Sequence, residues 1–326
     1  MELTLRLRPV RGPLGAANAT RRWAERESLH LLLEDPAGAR GEGEAAPLPG
    51  FSLDTLEDAR AALGTLGSVT ADPAEPLARV PTELPPAAAF ALEIALLDWA
   101  GHRAATSVDR WLPPRHAALP LAALAAPGGG SERPDSPVKL KIGGDLDAEL
   151  AHARTLRADG HRLRFDANGS LDRAALPRVL DALADLDAEM LEEPCAGPWP
   201  TSSPVPLAVD ESLARDPAAA LGRLERGEAT RAVIKPMLFG GPTRVAAVVA
   251  EVEARGGGCV FSHVFGGPLE RAAAGALALA HGMDAPMGLG AHAGLALWPP
   301  ATLAGFTADS VFRHGEPGLG VRWERP

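Results

Sequence analysis

The chain has 326 residues, 46% of them hydrophobic, enough for two domains or for one large barrel with an appendage. Its 42 Asp and Glu outnumber 32 Lys and Arg, giving a formal charge of -10, and the arginines are scattered, which excludes the clustered basic surface that nucleic-acid phosphates require. Two cysteines, Cys195 and Cys259, without CxxC spacing, exclude a disulfide scaffold and a thiolate zinc cluster.

Residues 2–10 and 28–34 alternate polar and apolar and read as strands of an antiparallel sheet. The first has no apolar core of a signal peptide, and no run approaches the ~18 apolar residues of a membrane span, so a reducing cytoplasm without membrane attachment is expected. Between the two strands, 11–27 carries Gly12, Pro13 and Gly15 with little periodicity and reads as a mobile loop. A turn-rich stretch at 41–52 leads to helices at 53–66 and 86–103, the second so densely apolar that it must be buried. Residues 1–115 thus read as a small α+β domain.

From about residue 116 the pattern becomes strand-then-helix. Strands are expected at 119–125, 138–142, 162–166, 189–192, 207–210, 232–235, 259–262 and 286–289, with helices at 145–158, 172–186, 217–226, 243–255 and 268–281. The Pro-rich stretch 193–205 suggests a reduced or missing helix after the fourth strand. This repeat suits an α/β barrel over 116–296 better than an open sheet, and 297–326 reads as an excursion packing back on the first domain.

The charges fall at the ends of these strands. Lys139 and Lys141, Asp166, Glu192-Glu193, Asp210-Glu211 and Lys235 follow one another at steps of roughly 25, 26, 18 and 25 residues, the length of one strand-helix unit. A barrel gathers such ends at one rim. Three carboxylates meeting there would repel one another unless a divalent cation joined them, and all-oxygen ligation favours Mg²⁺ over zinc. Asn168 lies on the face of Asp166 and reads as a donor behind the ligands, or as a turn cap before Gly169. Lys139 and Lys141 stand on one face of their strand, where like charge and a dication depress a lysine toward the range of a general base. With Lys235 arriving from the opposite side, the set suggests removal of a proton α to a carboxylate. The chain has no GxxxxGK[ST] loop for phosphoryl transfer.

The ordered set Lys139-x-Lys141, Asp166, Glu192 in Leu-Glu-Glu-Pro, Asp210 in Asp-Glu-Ser and Lys235 in Ile-Lys-Pro resembles the enolase superfamily, muconate-lactonizing subgroup. Within it, the run Gly43 to Ser52 is similar to that of o-succinylbenzoate synthases. The resemblance implies a modified TIM barrel, (β/α)7β, under an N-terminal α+β capping domain whose loops at 11–25 and 47–52 close over the site, with Phe51 against substrate. It implies Asp166, Glu192 and Asp210 as Mg²⁺ ligands, with Mn²⁺ able to substitute, and Glu193 and Glu211 outside the ligand set, Glu211 standing behind it with Asn168. It further implies a small-molecule carboxylate substrate, Lys141 as acid and base in syn-dehydration through an enediolate, Lys235 as the stabilising cation, Lys139 as the residue that tunes Lys141, and a place in menaquinone biosynthesis.

One region departs from the pattern. Where the family shows a Ser-Ser-x-x-Glu-like run, this chain has Ser262-His263-Val264-Phe265-Gly266-Gly267, so the acid is lost. The amides of Gly266 and Gly267 are expected to bind a substrate carboxylate in its stead. Ser262 and His263 are further candidate contacts; His263, like His292, reads equally as a structural histidine. An N-succinylamino-acid racemase or dipeptide epimerase would use the same metal and lysine pattern, and a non-catalytic binding barrel is the reading from another class. No heptad or distinct apolar face marks an oligomer interface.

Overall fold

Polar-apolar alternation builds the first layer. The computed structural model describes residues 1–17, 22–124, 137–307, 310–312 and 316–324. β1 (Glu2–Ala17) and β2 (Arg22–Glu34) pair antiparallel from Thr4↔Glu34 to Ala17↔Arg22. β3 (Arg40–Ala45) and β4 (Ser68–Thr70) complete a sheet of order β3-β2-β1-β4. α1 (Leu56–Leu66), opened by a reciprocal Thr55–Asp58 capping box, and α2 (Pro86–Ala104) pack against it. α2 is buried nearly all round because it lies directly on β3. Gly41 and Gly43 permit this, since a Cβ at either would strike the Ala95 or Ala91 carbonyl.

Of the segment 11–27, expected as a loop, residues 11–17 and 22–27 are strand. The register shift between Pro13 and Ala16, where Gly15 adopts φ 64°, absorbs the turn-forming residues, and Leu14, Trp23 and Arg26 are buried. Pairing along the hairpin overrides local turn propensity. Residues 18–21, within the expected loop at 11–25, lie outside the described residues.

The second layer follows in chain order. β5 (Ala118–Pro120), β6 (Ala123–Leu124), β7 (Val138–Lys141), α3 (Leu146–Ala158), β8 (Leu163–Asp166) and α4 (Leu176–Asp185) come first. β9 (Leu191–Glu192), β10 (Leu207–Val209), α5 (Glu211–Arg215) and α6 (Pro217–Glu225) come next. β11 (Arg231–Ile234), α7 (Pro236–Phe239), α8 (Pro242–Glu253), β12 (Gly258–Phe261) and α9 (Pro268–His281) finish it. β6 to β12 form a parallel sheet in sequence order. The bridges Leu121↔Met287 and Ser262↔Gly288 join its two edges and close it into an α/β barrel.

Several boundaries differ from expectation. The strand expected at 119–125 is divided: β5 pairs with a tail strand and β6 enters the barrel. The helix expected from 172 starts at Leu176, because Pro177 suits the first helical turn and Asp172 instead accepts the Ala174 N–H in a preceding turn. Among the described residues no helix lies between β9 and β10, where Trp199 Nε1 donates to the Cys195 carbonyl at 2.9 Å. The segment 286–289 forms bridges and no ladder, as Pro286 has no N–H to give.

The tail returns to α2 and β3. β13 (Ala301–Leu303), β14 (Ser310–Phe312) and β15 (Val321–Trp323) pair as β13-β15 and β14-β5. The Leu319 N–H donates to Asp98 Oδ1 on α2 at 2.8 Å, and Asp98 Oδ2 accepts the Glu42 N–H at 2.9 Å. Trp323 Nε1 donates to Glu42 Oε2 at 2.8 Å. Cys195 and Cys259 are buried and free, and burial raises both thiols, that of Cys259 to about 12. Among the described residues no helix is long and apolar enough to cross a membrane.

Candidate active site

Strand register aligns the charges. Lys141 on β7 pairs with Asp166 on β8, and Asp166 with Glu192 on β9, so one row crosses three strands at their C-terminal ends. Asp210 follows β10 directly and starts α5. Oxygens of Asp166, Glu192 and Asp210 all lie within 4.8 Å of one another and are buried. At such spacing each ionised pair repels by roughly 3 kcal/mol at an effective dielectric of about 20, so the cluster needs positive charge.

Lysines supply it. Lys139 Nζ lies 2.9 Å from Asp166 Oδ2 and 2.5 Å from Glu192 Oε2, while Lys235 Nζ donates to both oxygens of Asp210. Burial raises the Asp166 carboxyl, but Lys139, Lys141 and Lys235 outweigh it and hold it below its ordinary range. Burial pushes Glu192 up to about 7, against the pull of Lys139. Burial would lower Lys139, yet Asp166, Glu192 and Asp210 hold it above the usual lysine range. Lys141 is the contrast: burial lowers it, and Lys139 and Lys235 add to that against Asp166. It is the lysine of the set best suited to shed its proton.

A polar chain supports this floor. Lys141 Nζ donates to Asn168 Oδ1 at 3.3 Å, and Asn168 Nδ2 to Glu211 Oε1 at 3.2 Å. Asn168 also gives its backbone N–H to Asp166 Oδ1 at 3.0 Å, so it bonds Asp166 and Lys141 together. Burial pushes Glu211 up to about 7, with Asp210 adding to it. Glu193 turns away from the acids. Its Oε1 accepts the Asp210 N–H at 2.6 Å, the Ser212 N–H at 3.1 Å and the Ser212 hydroxyl at 2.5 Å, fixing the turn that carries Asp210. Asn168 and Glu193 adopt φ 46° and 40°, left-handed strain concentrated at strand ends.

The cleft above is open to solvent and roofed by Trp23, Leu48 and Phe51. The Phe51 ring lies 4.9 Å from Lys235 Nζ. Trp23 Nε1 donates to the Pro49 carbonyl at 2.9 Å, which ties the β1–β2 hairpin to the 47–52 loop. The far wall holds Ser262, His263, Val264 and Phe265. Ser262 Oγ donates to the Gly288 carbonyl at 3.2 Å. His263 Nδ1 accepts the Phe265 N–H at 3.2 Å, and the His263 and His292 rings lie 3.8 Å apart. Burial and mutual proximity keep His263 well below its ordinary range; burial, with Arg271, takes His292 to about 3, so both rings are neutral.

The glycines do not serve as expected. The Gly266 N–H donates to Glu270 Oε2 at 2.6 Å and the Gly267 N–H to Glu44 Oε1 at 2.7 Å, so internal carboxylates already hold these amides. Sequence reasoning missed Glu44 and Glu270, both fully buried. Their signal was an acid inside an apolar run: Glu44 before Ala45-Ala46-Pro47-Leu48, and Glu270 in the apolar helix beginning at Pro268. Trp23 was missed because it fell in the segment read as a loop.

A family model described as enolase C-terminal domain-like matches residues 136–325, and one described as MenC, N-terminal domain, matches 15–99. The chain belongs to the enolase superfamily. Within that superfamily it is similar to o-succinylbenzoate synthases from Thermosynechococcus vestitus, 34% identical over 72% of this chain and 74% of the relative, and from Klebsiella pneumoniae, 29% identical over 76% and 77%. Among solved structures, a dipeptide epimerase from Methylococcus capsulatus, complexed with Mg and the dipeptide L-Arg-D-Lys, superposes with a TM-score of 0.82. It is 24% identical and covers 99% of this chain and 100% of its own. A muconate lactonizing enzyme from Pseudomonas fluorescens, complexed with muconolactone, gives 0.79 at 22% identity over 99% and 96%. These structural likenesses establish the superfamily fold. The buried all-oxygen triad of this superfamily member suits a hard divalent cation, since zinc would call for His or Cys.

Proposed function

We propose that the chain is an o-succinylbenzoate synthase, removing water from 2-succinyl-6-hydroxy-2,4-cyclohexadiene-1-carboxylate to give 2-succinylbenzoate in cytoplasmic menaquinone biosynthesis. Lys141 carries the reading: a half-buried lysine held below its ordinary range, beside three clustered acids and under a roof that includes Phe51. The named relatives narrow the reaction from proton abstraction in general to this dehydration.

Asp166, Glu192 and Asp210 would hold Mg²⁺, with Mn²⁺ expected to substitute. Bound there, the ion would take a substrate carboxylate and stabilise the charge that develops as the α-proton leaves. Neutral Lys141 removes that proton from the ring carbon. As the ring C–O bond breaks, the Lys141 ammonium returns the proton to the departing hydroxide on the same face, so water leaves and the ring becomes aromatic. Lys235 stands four strands round the barrel from Lys141 and faces the developing charge as a cation. Lys139 keeps Lys141 depressed, Asn168 and Glu211 orient it, and Phe51 covers the ring. The same reading takes 1–115 as cap, 116–296 as barrel and 297–326 as the returning tail.

A racemase or epimerase is the second reading, favoured by the presence of both Lys141 and Lys235. Supplying the cyclohexadiene acid and following the aromatic product by ultraviolet absorbance tests the proposal, alongside a deuterium-exchange screen of N-succinyl amino acids and dipeptides. Aromatic product at enzymatic rates supports the synthase. α-Exchange of the amino-acid compounds without dehydration transfers the assignment to the second reading.

A further inference from the structure

The strap 263–267 between β12 and α9 forms the pocket wall opposite the acids, and its bend is strained: Phe265, not a glycine, has φ 59°. Two buried carboxylates hold it. Glu270 Oε1 accepts the Val264 N–H at 2.8 Å and Oε2 the Gly266 N–H at 2.6 Å. Glu44, reaching across from β3, accepts the Gly267 N–H on Oε1 and the Glu270 N–H on Oε2, at 2.7 and 3.3 Å. Each orphan donor at the start of α9 that these bonds reach is thereby satisfied without water. Arg26 on β2 lies beside the pair, 2% exposed. It donates to the Ala46 carbonyl, and its Nε and Nη1 have no hydrogen-bond partner among the described residues, so it offsets the acids by charge.

Gly266 explains why the acid stands at 270. A Cβ at 266 would lie 2.9 Å from Glu270 Cδ and 3.0 Å from its Cβ. The Glu270 carboxylate thus occupies the space of a side chain at 266, and the two placements exclude each other.

We propose that Glu270 is a positioning acid: one helical turn beyond the strap, clasped with Glu44 and Arg26 of the antiparallel sheet, it sets the wall that seats the part of the substrate remote from the reacting carbon. Among the described residues no hydrogen bond or ion pair joins Glu44 or Glu270 to the acids or lysines of the floor, and Lys235 acts on Glu270 only through space, so their role is seating and not proton transfer. This inference rests on the proposed function only for where the chemistry occurs.

The test compares the wild type, Glu270→Gln, Gly266→Glu and the double variant Gly266→Glu/Glu270→Gly, all loaded with Mg²⁺. It reads amide hydrogen exchange over 263–270 and steady-state KM and kcat. Glu270→Gln loses one of two charge-assisted bonds, so faster exchange at the strap and a KM raised about tenfold are expected, with kcat within about threefold. Gly266→Glu alone crowds the site and loses more. The double variant, with its carboxylate moved back to 266, restores slow exchange and KM to within about threefold of wild type. Unchanged exchange in Glu270→Gln overturns the proposal, as does a double variant no better than Gly266→Glu, or kcat falling together with KM unchanged. Should Glu270→Gln fail to fold, Glu44→Gln is read by the same measures. Wild type that leaves the cyclohexadiene acid untouched sinks the functional reading, while the exchange measurements still decide the positioning role.

Discussion

The floor of the cleft and its far wall solve the same problem, buried carboxyl groups, by different means. On the floor, Asp166, Glu192 and Asp210 face ammonium groups of Lys139 and Lys235, charge against charge. In the wall, Glu44 and Glu270 are held by backbone N–H groups with one arginine alongside. Ammonium groups on flexible stems can shift when substrate or a cation arrives, whereas backbone amides stay where α9 puts them. The floor is therefore built to change partners during a reaction and the wall to remain fixed.

The largest effect that would break this contrast is on the floor. Lys141→Ala should lower turnover by about 10³-fold or more with the circular dichroism spectrum unchanged; activity within tenfold of wild type would remove Lys141 as the base. In the wild type, kcat should rise with pH through a midpoint below 10.5, since the base must be neutral and burial depresses it. Chelation should abolish turnover and Mg²⁺ restore it, and full activity in metal-free protein would undo the assignment of the acids.

A smaller effect belongs to the wall. Burial, and then Glu270, raise Glu44 from 4.5 to about 8 in the folded protein. A raised folded value means that the native state holds the proton more tightly. The contribution to stability is thus complete below about pH 4.5, and it is lost as pH rises toward about 8. Thermal melting of wild type and Glu44→Gln across pH 5 to 8.5 should show a difference between them that varies with pH; parallel curves would mean that Glu44 does not titrate there. The smallest effect is at the roof, where Phe51→Ala should raise KM several-fold and leave Mg²⁺ affinity, measured by titration calorimetry, unchanged.

The same contrast accounts for what could be read in the sequence. Lys141, Asp166 and Glu192 were legible because parallel strands of one repeat put their ends in a row, so spacing along the chain maps onto position in the barrel. Glu44 was not, because its partners Gly267 and Glu270 lie 223 and 226 residues away and no periodicity encodes such a pairing. The strands at 11–17 and 22–27 escaped for a related reason: Gly12 and Pro13 signal a turn locally, but pair with Arg26 and Glu25 in the sheet. Gly266 and Gly267 were read as open amides because their spacing fits a helix start, while the carboxylates that fill that start come from elsewhere in the fold.

The latch at Asp98 limits how such a molecule can admit its substrate. That carboxylate grips β3 through Glu42 and the tail through Leu319, and Glu44 grips the barrel from the same strand. Swinging the two halves apart would strand several buried donors and acceptors at once, at about 1–3 kcal/mol for each group left bare. Traffic is therefore cheapest at the rim, through small movements of the turn bearing Leu48 and Phe51. Selectivity in this molecule can then be redesigned by exchanging that short turn, without disturbing the chemistry beneath it.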